Sequence, residues 1–162
     1  MLQKSNFLLL IAGLFLFVSC DEKRVFDEYK ALDGSWNKDS IVSFEFEHKD
    51  TVSAYNMFVT MRNNNSYPYN NLFVIVELQQ PGGLTQSDTL EYPMANADGS
   101  LMGEGFTDIK ESKLWYKQNQ RFPKAGKYII NIRQAVRDAG KVPGVDELKG
   151  VTDVGFRIES TE

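Results

Sequence analysis

The sequence predicts an all-β domain, an antiparallel β-sandwich of jelly-roll type with about seven to eight strands. Apolar residues recur at every second position over short runs, as in Val42, Phe44 and Phe46, which is the period of a half-buried strand. Turn signals such as Asn63-Asn64-Asn65, Pro81-Gly82-Gly83 and Ala125-Gly126 separate the runs, because glycine and asparagine tolerate positive φ and proline cannot donate to a strand ladder. No ten-residue stretch carries a helical period, and no strand-helix-strand alternation is visible, which argues against a doubly wound nucleotide-binding fold.

The chain opens with Lys4, an uncharged apolar stretch from Phe7 to Val18, and Ser19-Cys20. That stretch is about twelve residues long, whereas a span of the bilayer core needs roughly twenty, so it reads as a signal peptide rather than a permanent helix. Phe17-Val18-Ser19-Cys20 has the form of a lipobox with Phe where Leu is usual, and Cys20 is the only cysteine. Residues 1–19 are therefore expected to be a cleaved lipoprotein signal peptide, and Cys20 the lipid attachment site. Acyl chains contribute about 0.8 kcal/mol per buried methylene, enough for two or three of them to hold the chain on a membrane. Asp21 to Lys30 is a charged run with few apolar residues, so residues 20–34 are predicted to form the acylated N-terminus and a tether, with Phe26 and Tyr29 as its first docking contacts. The sandwich is predicted over 35–162.

Within it, Val42, Phe44 and Phe46 alternate with Ser43, Glu45 and Glu47 in a first strand. Tyr55, Met57, Val59 and Met61 form a second, with Phe58 as the one large apolar residue on its polar side. Leu72 to Val76 is apolar on both faces and predicts a central, doubly covered strand. Thr85 to Tyr92 is more polar and predicts an edge strand anchored by Leu90 and Tyr92. Residues 93–110 break the rhythm and predict a long loop with a short helix near Phe106-Thr107-Asp108-Ile109. Leu114 to Lys117 is extended again, Tyr128, Ile130, Ile132 and Gln134 make the clearest strand of the second half, and Val154, Phe156 and Ile158 make the last. Pro143-Gly144 and Val145 to Lys149 predict at most one helical turn.

Removing 19 of the 162 residues leaves 143, enough for one domain with a real core;. The mature chain carries 17 Lys plus Arg against 22 Asp plus Glu, a net charge near −5. Its basic residues are interspersed with acids rather than clustered, which argues against a nucleic-acid partner. With Cys20 acylated no thiol remains, so the exported domain must fold without disulfides.

The lipoprotein start, Trp36, Asp39-Ser40-Ile41, Asn63-Asn64-Asn65, Tyr67-Pro68-Tyr69-Asn70-Asn71-Leu72, Asp108-Ile109-Lys110 and Gly126-Lys127-Tyr128 occur in that order. Together they resemble the gliding-motility lipoprotein family GldH of the Bacteroidetes, over nearly the whole chain. The resemblance implies a lipid-anchored component of the gliding machinery in the cell envelope, most readily on the outer membrane facing the periplasm, with other gliding or secretion proteins as partners. An accessory role in type IX secretion follows by association. It implies no reaction, ligand, cofactor or catalytic residue.

The residues themselves give no enzyme. His48 is the only histidine, so one chain cannot hold a two-histidine metal site;; as the end of a strand it is expected at the rim with a satisfied hydrogen bond. No nucleophile elbow or phosphate loop occurs, and Gly103-Glu104-Gly105 lacks the third glycine of a dinucleotide fingerprint;. Glu45 and Glu47 share a strand face roughly 7 Å apart, near the carboxylate spacing of inverting glycosidases, yet alternating Glu is the ordinary dress of a solvent face. Asn96-Ala97-Asp98-Gly99 would need calcium ligands at Met94 and Gly105 and reads as a turn. The competing function is a carbohydrate-binding lipoprotein whose aromatics stack on sugar rings; Trp36, Trp115 and Tyr116 are its candidates, against the alternative that they pack in the core or at a sheet edge. Asp39-Ser40-Ile41, Asp50-Thr51-Val52 and Asp88-Thr89-Leu90 resemble the O-glycosylation signal of Bacteroidetes envelope proteins, making Ser40, Thr51 and Thr89 candidate glycan sites.

Overall fold

The computed structural model describes residues 21–105 and 107–162; the predicted signal peptide, Cys20 and Phe106 lie outside the described residues. Ten strands follow in chain order: β1 (Arg24–Ala31), β2 (Ser35–Asn37), β3 (Val42–His48), β4 (Ala54–Asn63), β5 (Asn71–Gln79), β6 (Thr85–Pro93), β7 (Lys110–Arg121), β8 (Gly126–Gln134), β9 (Glu147–Lys149) and β10 (Val151–Ser160). One sheet has the order β1-β10-β4-β7, the second β3-β8-β5-β6, and β2 and β9 form a short ribbon. Every pairing is antiparallel. Counting only the eight long strands, the orders become 1-8-3-6 facing 2-7-4-5, the double Greek key of a jelly roll.

The core is what the period-two runs predict. Phe44 on β3, Tyr128, Ile130 and Ile132 on β8, and Leu72, Val74, Val76 and Leu78 on β5 are buried against Met57, Val59 and Met61 on β4 and Val154, Phe156 and Ile158 on β10. Phe44 and Phe156 stack across the sheets with centroids 6.3 Å apart. β5 lies inside its sheet, but only its Leu72, Val74, Val76 and Leu78 face is buried; Phe73 and Ile75 are half exposed. Its continuous apolar run therefore marks an interior strand covered on one face, not two.

The largest departure concerns the predicted tether. Residues 24–31 form edge strand β1, paired with β10 from Arg24↔Glu159 to Ala31↔Asp153. The run looks unstructured because it is guarded by charge on both faces. On the core side, Phe26 packs on Phe46 at 5.5 Å, but Glu28 and Lys30, which pair with each other at 3.8 Å, follow it along the open seam with β3. Inward-pointing charge at a sheet edge deters strand addition by another chain. The other two corrections are local. Thr107 and Asp108 are bends and Ile109 is irregular, with no helix, and Glu147–Lys149 is strand β9 rather than a helical turn.

The two ends of the sandwich differ. The starts of β1, β4, β6 and β8 and the ends of β3, β5, β7 and β10 share one end, joined by the short turns 49–53, 80–84 and 122–125. It is plugged by rings: Phe122 lies 4.9 Å from Tyr128 and 4.4 Å from His48. The opposite end carries the long connections 94–109 and 135–146 and is plugged by the ribbon, whose Trp36 and Leu148 are fully buried. Gly150 enters β10 there at φ +82°, and a Cβ on it would lie 2.3 Å from the Tyr67 backbone nitrogen, so this approach admits only glycine.

Phe156→Ala should cost about 3–5 kcal/mol through lost burial and a central cavity, whereas Ile75→Ala, on the outer face of β5, should cost less than half as much. Urea unfolding followed by tryptophan fluorescence measures both.

Candidate functional site

The outer face of the β1-β10-β4-β7 sheet is organised around Arg157 on β10. Its Nη1 donates to Asp27 Oδ2 at 2.8 Å and its Nε to Glu159 Oε1 at 2.6 Å, and its Nη2 donates to Asp21. Lys113 Nζ donates to the same Glu159 oxygen at 2.6 Å. Burial of Glu159 alone would raise its pKa, but the hydrogen bonds from Lys113 and Arg157 outweigh it and hold the carboxyl below the usual range. The hydrogen bond from Arg157 likewise lowers Asp21. Arg157 and Glu159 are only 17% and 13% exposed at their side chains, so this pairing is shielded rather than screened. A guanidinium suits the task because its planar fork serves three carboxylates at once. The result is that Asp21, the residue after Cys20, is fixed to the sandwich.

Beside this network the face carries aromatic side chains. Phe58 is buried at 3% exposure beneath Trp115, with ring centroids 4.4 Å apart, and Lys113 Nζ lies 4.2 Å over its ring. Neighbouring side chains thus cover Phe58, without a second layer. Tyr29 lies against Gly155, where a Cβ would meet its ring at 2.8 Å, and Arg62 stacks on Tyr29 at 4.1 Å. A glycine in mid-strand covered by an aromatic ring from the next strand restores the contact that the missing side chain leaves open.

The three predicted binding aromatics are not brought together. Trp36 is fully buried with its Nε1 donating to Ser40 O at 3.1 Å. Tyr116 turns into the core and donates to Asp88 Oδ2 at 3.0 Å, closing the β6–β7 seam; burial raises its pKa, and Asp88 raises it further. Only Trp115 is exposed, at 53%. Residues 36 and 116 lie inward because each occupies a core-facing strand position, so no sugar-stacking platform forms from the three.

Ser40, Thr51 and Thr89 are all exposed. Ser40 precedes β3, Thr51 sits in the 49–53 turn, and Thr89 points outward on edge strand β6 opposite Ile75. Asp50 orders the turn around Thr51 by accepting from the backbone N–H of Val52 at 2.8 Å and of Ser53 at 3.0 Å. His48 is not at the rim: it is 6% exposed, stands edge-on to Tyr55 at 4.9 Å, and its Nε2 has no hydrogen-bond partner among the described residues. It serves as one more ring in the plug. Glu45 pairs with Lys127 at 2.8 Å on the solvent face. Asn96 to Ser100 is a turn closed by Asn96 N–H to Ser100 O at 2.8 Å. Among the described residues no group of three His, Cys, Asp or Glu could hold a metal.

A depression of about 730 Å³ lies where the 94–109 loop meets β7, between Met102, Glu104, Lys113 and Leu114. Sequence reasoning missed Arg157, which reads as an ordinary outward residue between Phe156 and Ile158. Its partners at 21 and 27 are more than a hundred residues away, and no local signal identifies them.

A family model described as GldH lipoprotein matches residues 24–158. "Gliding motility lipoprotein GldH" of Flavobacterium johnsoniae is 57% identical over 159 residues, covering 98% of either chain. "Gliding motility lipoprotein GldH homolog" of Christiangramia forsetii is 51% identical over 152 residues, 94% of this chain and 93% of that one. Among solved structures, the VP2 subviral particle of infectious bursal disease virus aligns with TM-score 0.44 and 13% identity, over 86% of this chain and 33% of its own; the chain spans about a third of that protein.

The family match begins on β1 and ends on β10, the strands that Arg157 ties together. Arg157→Met keeps the stem but strands Asp27, frees Asp21 and leaves Glu159 with Lys113 alone, and should cost about 2 kcal/mol at pH 7;. A lowered folded-state pKa stabilises above the ordinary carboxylate range, and that stabilisation is lost as pH falls through the lowered value. The difference in urea midpoint between the wild type and Arg157→Met should therefore shrink below about pH 4.

Proposed function

The chain belongs to the GldH lipoprotein family, and from that premise we propose that it is a lipid-anchored, non-catalytic component of the gliding motility machinery. Cys20 carries the lipid, and the domain works in the cell envelope at the outer membrane, facing the periplasm. The single observation that carries the mechanical part of this reading is the polarity of the sandwich. The chain leaves the anchor at the end closed by short turns, while the long connections 94–109 and 135–146 lie at the opposite end, where Ile41, Met102 and Val142 are exposed. An anchored scaffold needs that division: one end is held by lipid and the other is free to meet protein partners. The partners are other gliding or secretion envelope proteins, and an accessory role beside type IX secretion follows from them.

The competing carbohydrate-binding reading loses support, since it would rest on Trp115 without Trp36 or Tyr116. Glycans remain relevant in another sense: Ser40, Thr51 and Thr89 each offer an exposed hydroxyl after an aspartate, and we propose that at least one is O-glycosylated. The intact mass of the protein from its native cell should exceed that of the lipidated polypeptide by at least one glycan, and an equal mass would reject the modification.

A tagged, lipidated protein should recover motility or secretion components from native membranes, while Cys20→Ala should leave the membrane fraction and recover none. Val142→Asp combined with Ile41→Asp should keep the protein on the membrane and lower partner recovery at least tenfold. Unchanged recovery by the double variant would place the partner surface elsewhere.

A further inference from the structure

We propose that the anchor end of the sandwich is itself a membrane-contact face, seated on the lipid bilayer through the exposed loop residues Val52 and Leu84. This rests on the lipid-anchored reading above and adds what that reading lacks, a fixed orientation of the domain.

The argument begins with the length of the leash. Between Cys20 and β1 there are three residues, 21–23, which fully extended reach about 10 Å. They are not extended: the Arg24 N–H donates to Asp21 O at 3.1 Å, folding them into a turn. Asp21 is held by Arg157, and Ser160 N–H donates to Lys23 O at 2.8 Å, tying the same residues to the end of β10. A lipid on Cys20 therefore holds this end of the sandwich against the headgroup layer, whose depth in one leaflet is half the difference between the full bilayer and its hydrocarbon core. A flexible tether would let the domain tumble; this one does not.

What the bilayer meets there is apolar and stiff. Val52 is 73% exposed at the tip of the 49–53 turn and Leu84 is 56% exposed in the 80–84 turn. Isolated exposed Val or Leu residues need no explanation on a free surface, but these two stand at loop tips on the end that carries the anchor. Both turns are held in shape. Asp50 accepts from Val52 N–H, Ser53 N–H and the Tyr55 hydroxyl, and Gln80 closes its turn by donating to Leu84 O at 2.8 Å. Beneath them lies the ring plug of Phe46, His48, Tyr55, Phe122 and Tyr128, so the face cannot fold away from the membrane. Lys23, Lys49 and Lys124 are offset by Glu22, Asp50 and Glu162 around this end, so the contact is with the headgroup–acyl boundary and does not select a headgroup charge. The opposite end, with Val142 82% exposed, then points away from the bilayer.

Cys20 is the only cysteine, so once it is acylated an introduced thiol is unique. Val52→Cys, Leu84→Cys and Val142→Cys would each be purified in lipidated form, labelled with a polarity-sensitive fluorophore and reconstituted in phosphatidylethanolamine–phosphatidylglycerol vesicles containing brominated acyl chains. Docking predicts at least threefold quenching at 52 and 84 and none at 142. Vesicle-bound protein with all three labels equally unquenched would overturn the docked face while leaving the anchor intact. Protein that fails to float with vesicles would overturn the anchor, and the docked face with it.

Discussion

With a single cysteine in the chain no internal disulfide can form, and the whole structure depends on two inner sheet faces burying each other well enough without one. The solution is aromatic. Phe44 and Phe156 stack at the centre, and a cluster of Phe46, Phe122, Tyr128, Tyr55 and His48 seals one end of the sandwich. Large rings bury the most area per residue and add edge-to-face contacts beyond that area, which suits a domain without covalent cross-links. His48 belongs to this inventory as a ring.

Sheet edges are the second problem of an exported sandwich, and each seam is closed differently. Between β6 and β7 the bonds are polar: Tyr116 to Asp88, Lys117 to Asp88 at 3.0 Å, and the Tyr92 hydroxyl to Trp115 O at 2.6 Å. Between β1 and β3 a ring contact from Phe26 is followed by the inward charges Glu28 and Lys30. Arg157 belongs to the same logic. By binding Asp21 and Asp27 it fastens edge strand β1 to its neighbour and keeps Asp21 inside the fold.

Closing both ends has a functional consequence. A sandwich plugged by rings at one end and by the Trp36–Leu148 ribbon at the other has little interior to offer a ligand, and its accessible chemistry lies on loops and outer faces. The jelly roll thus has two unlike ends, one closed by short turns and one carrying the long connections.

Sequence alone determined the fold class, because period-two burial and turn chemistry are local: the runs around Val42, Tyr55, Leu72, Tyr128 and Val154 are strands, and Thr85–Tyr92 is an edge. Its order of short motifs also pointed to the family. What it misassigned depends on neighbours distant in the chain. Residues 24–31 look like a tether until β10 pairs with them, and Phe58 looks stranded until Trp115 and Lys113 cover it. Trp36, Trp115 and Tyr116 look equivalent until the sheets decide which of them face inward. The clamp around Arg157 and the division between an end of short turns and an end of long connections could come only from the tertiary structure, because ion pairs spanning over a hundred residues and the grouping of loops at one end are set by strand order, which no local pattern encodes.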